Sequence, residues 1–296
     1  MNRKTLLIII VVLLIGGVYF ITKDKTMQKD HNGMNMSKEQ TTSGTYKLQL
    51  LSSTNNLKPN EETTIKYKIV DDKSDVLKKF EFDHTKLMHF IVIRKDLQDF
   101  QHLHPDFNQN TGVFTIPVTF SDAGKYRLFA DFTPAGSSMG SDGMMQSTTP
   151  YQEVNVGDLA QYTPQDVTPD TDTTKTVDGY QIDYSVPQNI QAGKEVKIML
   201  HVTQDGNPVT NMEEYLGAQA HGIILKKDTL DFAHIHAMGS SMNHMMNGQA
   251  MHMEMTNKGP DINFSYSFPS KGTYKLFTQF QLDGKVITTD YTFQIN

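Results

Sequence analysis

The sequence predicts an all-β protein: two tandem antiparallel β-sandwich domains behind an N-terminal transmembrane helix. Three observations carry that expectation. From Tyr46 onward the chain runs in short alternating stretches such as YKLQLL, TTIKYKIV, GVFTIPVTF and KYRLFADF, bounded by Gly, Pro, Asn and Asp, the pattern of half-buried strands joined by turns. The pattern occurs twice, in halves that align with each other. A single unbroken apolar run, Leu6 to Ile21, precedes both.

That run follows Asn2-Arg3-Lys4 and would rise about 24 Å as a helix at ~1.5 Å per residue. With flanking residues reaching the interfaces it can span a bilayer, and the basic residues before it favour a cytoplasmic N-terminus. Residues 1–22 are therefore expected to be a signal anchor, or a signal peptide if cleaved. The domains would then lie outside the cytoplasm, held at the cell membrane or secreted. Residues 23–45, containing MQKDHNGMNMSKEQ, lack the branched apolar residues a core needs and read as a flexible tether. Residues 46–156 form the first sandwich. The Thr-, Asp- and Pro-rich stretch 157–178 reads as a linker, and 179–296 form the second sandwich.

The halves are an internal repeat. His89, Asp99, Phe100, His102 and His104 match His221, Asp231, Phe232, His234 and His236 at a constant offset of 132, whereas GKYRLFADF (124–132) matches GTYKLFTQF (272–280) at 148. The second copy thus carries 16 extra residues between these blocks, within the Met/His-rich insertion 237–255.

In the first copy HFIVI and DFQHLH flank RKDLQ, which suits a hairpin turning near Lys95 and Asp96. That turn sets His89 opposite His102. His104 lies two residues on and so shares their face, because side chains alternate with period two. The second copy sets His221 opposite His234, with His236 alongside. Opposed Cβ atoms lie ~4.5 to 5.5 Å apart, close enough for the ring nitrogens to meet one ion. A lone histidine is more often a packed side chain bonded to a carbonyl. Three in one geometry, written twice, point to metal. His84 and His201 have no counterpart in the other copy and read as surface or structural.

The 33 acidic against 27 basic residues offer no phosphate-binding groove, so no nucleic-acid partner is expected. The lack of cysteine excludes disulfides, thiolate sites and the Cys-ligated blue-copper centre. Imidazoles alone suit zinc, copper or nickel; the methionines favour copper. Met238, Met242, His244, Met245, Met246, Met251, His252, Met253 and Met255 are interleaved in Gly/Ser/Asn-rich text with no Leu, Ile, Val or Phe to bury beside. Thioethers are soft and uncharged and select Cu(I) over zinc. Met27, Met34, Met36 and His31 in the tether, and Met139, Met144 and Met145 after LFADF, repeat the theme. The expected function is copper buffering, resistance or delivery, with Cu(I) or Cu(II) on the histidine triads and a copper transporter or cuproenzyme as partner. Imidazole must be neutral to bind, so the affinity of the triads is expected to fall as pH drops through about 6 to 6.5, with thioether capture less affected.

NPVTNMEEYLGAQAHGIILKKDTLDFAHIHA (207–237), and more weakly LMHFIVIRKDLQDFQHLHPDF (87–107), resemble the YtkA-like, Ig-like domains of bacterial secreted proteins, in which a Y-L-G-A run leads into a histidine strand ending H-x-H-P. The resemblance implies an Ig-like or cupredoxin-like sandwich associated with extracytoplasmic copper handling. His236 is followed by Ala237 rather than proline, and the first copy has DHTKLM in place of Y-L-G-A. Two other readings are a cell-surface interaction module with structural histidines and a zinc or copper enzyme. The sequence shows no carboxylate placed as a base beside either triad, since Asp99 and Asp231 fall on the opposite face and read as turn residues, so no enzymatic activity is expected.

Overall fold

A computed structural model of the chain describes residues 46–139, 145–237 and 258–296. The expected anchor, the tether and the insertion's methionines and histidines lie outside these residues. Among the described residues, no helix is long and apolar enough to cross a membrane.

The chain is all-β. Its first half contributes β1 (Tyr46–Leu50), β2 (Glu62–Asp71), β3 (Phe80–Glu81), β4 (His89–Arg94), β5 (Phe100–Leu103), β6 (Asp106–Asn108), β7 (Val113–Thr119), β8 (Gly124–Asp131), β9 (Thr133–Pro134) and β10 (Tyr151–Val156). The second half contributes β11 (Thr174–Val177), β12 (Tyr180–Ser185), β13 (Glu195–Gln204), β14 (Asn207–Pro208), β15 (Ala220–Lys226), β16 (Phe232–His236), β17 (Asp261–Ser267), β18 (Gly272–Leu282) and β19 (Lys285–Ile295). In the first half, a sheet ordered β1-β2-β7-β6 faces one ordered β10-β8-β4-β5, and in the second, β11-β12-β13-β14 with β17 on β13 faces β16-β15-β18-β19. Each pair of sheets encloses its own core. Tyr67, Phe90, Phe114 and Leu128 lie in the first, and Ile198, Phe264, Leu276 and Phe280 in the second.

Alternation explains which residues go inward. Phe90 and Val92 of β4 enter the first core while Ile91 and Ile93 point out of it. The outward residues are buried as well. Ile91, Ile93 and Phe129 pack against Ile223, Phe232 and Phe277 in a third apolar cluster, between the two halves. This double burial is why HFIVIR and HGIIL read as continuous apolar runs rather than alternating ones.

Each repeat also pins its β8 or β18 strand with a tyrosine. Tyr126 Oη lies 2.9 Å from the carbonyl of Asp122, and Tyr274 Oη donates to that of Ser270 at 3.0 Å. Asp99, read as a turn residue, accepts from Tyr126 Oη at 2.6 Å and from the Ser121 amide at 2.9 Å.

Two sequence expectations are corrected here. Ile91 pairs with His102 and His221 with His236, so the hairpins turn one residue later than expected. His89 is not opposite His102, nor is His221 opposite His234; each pair is diagonal. The correction moves partners by two positions, so the histidines keep their shared face. Residues 157–178 are not merely a linker. They include β11, Val167 is buried between the halves, and Asp96 accepts from the Gln165 amide at 3.0 Å.

Candidate metal centre

The histidines lie on the outward faces of β4–β5 and β15–β16, beside the apolar cluster between the halves. That interface is built by a reciprocal set of contacts from alternate residues of β8 and β18. The Arg127 guanidinium donates to the Thr229 carbonyl at 2.9 Å, and Lys275 Nζ to the Leu97 carbonyl at 3.3 Å. Two residues on, Phe129 meets Phe232 with ring centroids 5.1 Å apart, and Phe277 stacks on Phe100 at 4.3 Å. Two further on, Asp131 Oδ2 accepts from His234 Nδ1 and Gln279 Oε1 faces His102 Nδ1, both at 2.9 Å. Every contact has its repeat-related twin, so the halves dock as an isologous dimer within one chain.

Docking brings both triads into one cluster. The rings of His89 and His234 lie 4.8 Å apart and those of His102 and His234 5.5 Å apart, across the interface. One nitrogen from each of His89, His102 and His234 lies within 4.8 Å of the others, and so does one from each of His221, His234 and His236. His104 Nε2 lies 3.3 Å from His89 Nδ1. All six triad histidines therefore meet, in one shared centre rather than two separate ones. The insertion's Met238, Met242, His244, Met245, Met246, Met251, His252, Met253 and Met255 fall outside the described residues. Ala237, directly after His236, is buried and its amide donates to the Ala220 carbonyl.

Hydrogen bonds at the outer edge of the second triad dictate where its protons sit. Asp131 can only accept, so His234 must carry its proton on Nδ1, and the Tyr215 carbonyl, 3.1 Å from His221 Nε2, likewise calls for a proton there. The remaining nitrogens, His221 Nδ1 and His234 Nε2, then face each other at 3.0 Å as two lone pairs. Neutral rings cannot hydrogen-bond in that arrangement; an extra proton or a cation between them can satisfy both. Burial opposes the proton: desolvation holds His221 and His234 well below the usual imidazole range, reinforced by neighbouring histidines. A cation fits, because two nitrogens ~2.0–2.1 Å from one ion at an angle of about 90–110° stand about 2.9–3.4 Å apart. The first triad has the same frame, with His89 Nδ1 2.9 Å from His102 Nε2. Burial pushes His102 down to about 4, opposed by its bond to Gln279, and pushes His104 to about 3, helped by His102.

Sequence reasoning missed three members of this centre. His84 is not a bystander: its ring centroid lies 3.8 Å from that of His236, and with Asp83 and His236 it forms a further group of convergent ligands. It occupies the place of Leu216 in the repeat, both with positive φ (57° and 54°), and only the fold shows that this corner faces the other half. Asp131 corrects the expectation that no carboxylate lies beside a triad. Its signal was the LFADF–LFTQF alignment, where Asp131 matches Gln279. His201, by contrast, bonds Asp261 at 2.6 Å, partly exposed and away from the cluster.

Fold and site define an all-β protein with a buried polyhistidine centre between two repeated lobes. The chain matches the domain of unknown function DUF8832 over residues 40–146 and 175–296, and it belongs to that family. No curated protein matches it. Solved structures that the chain matches include a Salmonella alpha-2-macroglobulin mutant (10% identity, TM-score 0.24, covering 85% of this chain and 15% of that one). Others are the native-conformation alpha-2-macroglobulin of E. coli (9%, 0.25, 88% and 14%) and bovine butyrophilin (9%, 0.23, 85% and 99%). The chain thus spans about one-seventh of the length of these alpha-2-macroglobulins.

Proposed function

We infer that this is an extracytoplasmic copper-binding protein that buffers or delivers copper, held at the cell membrane by residues 6–21, with the interlobe histidines as its ion centre. The observation that carries the reading is the pair of facing lone pairs on His221 Nδ1 and His234 Nε2 at 3.0 Å; the same close approach of ring nitrogens recurs at His89 and His102, 2.9 Å apart. Copper is favoured over zinc by the thioether-rich segments that leave each lobe beside the histidine strands. Met139, in one such segment, is 60% exposed, which argues against its being a core filler. Cu(I) captured on the thioethers would pass to the imidazoles by ligand exchange. The lobes are read as Ig-like sandwiches because of their strand order and their paired tyrosine corners. Binding and transfer, rather than turnover, is the proposed role, with a copper transporter or cuproenzyme as the recipient.

Elemental analysis of protein purified from copper-supplemented cells tests this directly. Copper should copurify with the native chain and be lost from a variant with His102, His104, His234 and His236 changed to Asn. Equal copper in both, or none in either, would remove the histidines from the function.

A further inference from the structure

Besides the His84–Leu216 difference, the pseudo-twofold relating the lobes is broken where the histidines meet their partners across the interface. His234 Nδ1 meets a carboxylate, Asp131, whereas its twin His102 meets an amide, Gln279. Both partners are themselves held, Asp131 by Thr149 Oγ1 at 3.3 Å from the segment before β10, and Gln279 by donating its Nε2 to Thr288 Oγ1 of β19 at 3.0 Å. In each case the partner belongs to the other lobe. His234 and Asp131 are sealed from solvent, with side chains 0% and 1% exposed.

The two partners differ in chemistry, not in placement. A carboxylate accepts only, so Asp131 fixes His234 with its proton on Nδ1 and its lone pair on Nε2, turned toward His221. An amide can present oxygen or nitrogen, so Gln279 is compatible with either tautomer of His102. A carboxylate hydrogen-bonded behind a ligating imidazole orients the ring and raises its basicity as a ligand.

Resting on the reading of this centre as an ion site, we propose that it holds two unequal Cu(I) sites, and that Asp131 of the first lobe makes the His221/His234/His236 site of the second lobe the tighter. Asp131 is a positioning residue acting through His234. Each lobe's site then depends on the other lobe, and the ion bound second, near His89, His102 and His104, is the more readily surrendered. An unequal pair suits a carrier: one ion stays and one is exchangeable.

Anaerobic Cu(I) titration of the full chain against a chromophoric chelator should show, besides capture by the thioether segments, two steps that are lost when His102, His104, His234 and His236 are changed to Asn and that are separated by at least about tenfold. Asp131→Asn should weaken the tight step by about 10- to 100-fold and leave the weak step unchanged, while Gln279→Glu should strengthen the weak step. Nitrogen-15 shifts of the His234 ring in the copper-free protein give a readout that general destabilisation would not mimic. The native chain should show the single Nδ1–H tautomer, and Asp131→Asn a mixture. Unchanged affinities and an unchanged His234 tautomer in Asp131→Asn, or a single Cu(I) bound by the native chain, would overturn the proposal. If His234→Asn also leaves Cu(I) binding intact, the ion-site reading fails as well, which separates the two failures.

Discussion

Acidification is the most discriminating perturbation, because burial has moved the cluster away from ordinary histidine behaviour. Protons compete for a ligand nitrogen by a factor of one plus ten to the power (pKa − pH). At pH 5.0 an imidazole at its ordinary 6.5 would cost about thirtyfold in affinity, and His102 pushed down to about 4 costs only about 1.1-fold. His104, His221 and His234 shift the same way. Proton competition at His102 and at His104 should therefore change ion affinity less than about twofold each between pH 7.5 and 5.0, and the fall expected through 6 to 6.5 should not occur at these ligands. Stability behaves differently. The folded pKa of His102 lies below the unfolded value, so the unfolded chain takes up the proton first. Its stabilising contribution is complete above pH 6.5 and declines as pH falls toward 4, by about 2 kcal/mol at pH 5 for this wholly buried ring and about 3 at pH 4. Competition titration with Zn(II) or Cu(II) at fixed pH, with tyrosine fluorescence confirming the fold at each point, measures both effects. A thirtyfold or greater loss of affinity per ligand by pH 5.0, with the fold intact, would refute the burial argument.

Other expectations concern the scaffold. Phe277→Ala removes the ring stacked at 4.3 Å and 6° on Phe100; it should cost about 3–5 kcal/mol and split thermal unfolding into separate lobe transitions. A loss under 1 kcal/mol with one transition would show that this face is not an interface. Tyr67→Phe should leave stability unchanged or raise it by about 1 kcal/mol, because the buried Tyr67 hydroxyl has no hydrogen-bond partner among the described residues; denaturant midpoints would reveal a loss if that is wrong. Gly222→Ala would place a Cβ 2.8 Å from Ile235 Cγ1 and 3.0 Å from Leu276 Cδ1, costing about 1–3 kcal/mol by the same measurement.

Much of the centre was legible before any coordinates. Alternation put His102 and His104 on one face, and the 132-residue repeat showed that His221, His234 and His236 follow the same plan. An error in the hairpin register did no harm, since it shifted partners by two residues and kept parity. His84 and Asp131 were not legible: His84 has no twin, and Asp131 sits in a strand whose apolar neighbours give no hint of what covers it.

What the sequence determined by itself is local: which residues are strands, which side chains share a face, and that the plan is written twice. Only the tertiary structure decided that the two histidine faces meet, joining His234 to Asp131 and His102 to Gln279 across 103 and 177 residues of chain. The physical reason is that periodicity fixes the direction a side chain points but not what it meets there. Ile91, Ile93, Phe129, Ile223, Phe232 and Phe277, left outside their own cores, bury themselves against one another and carry the imidazoles with them.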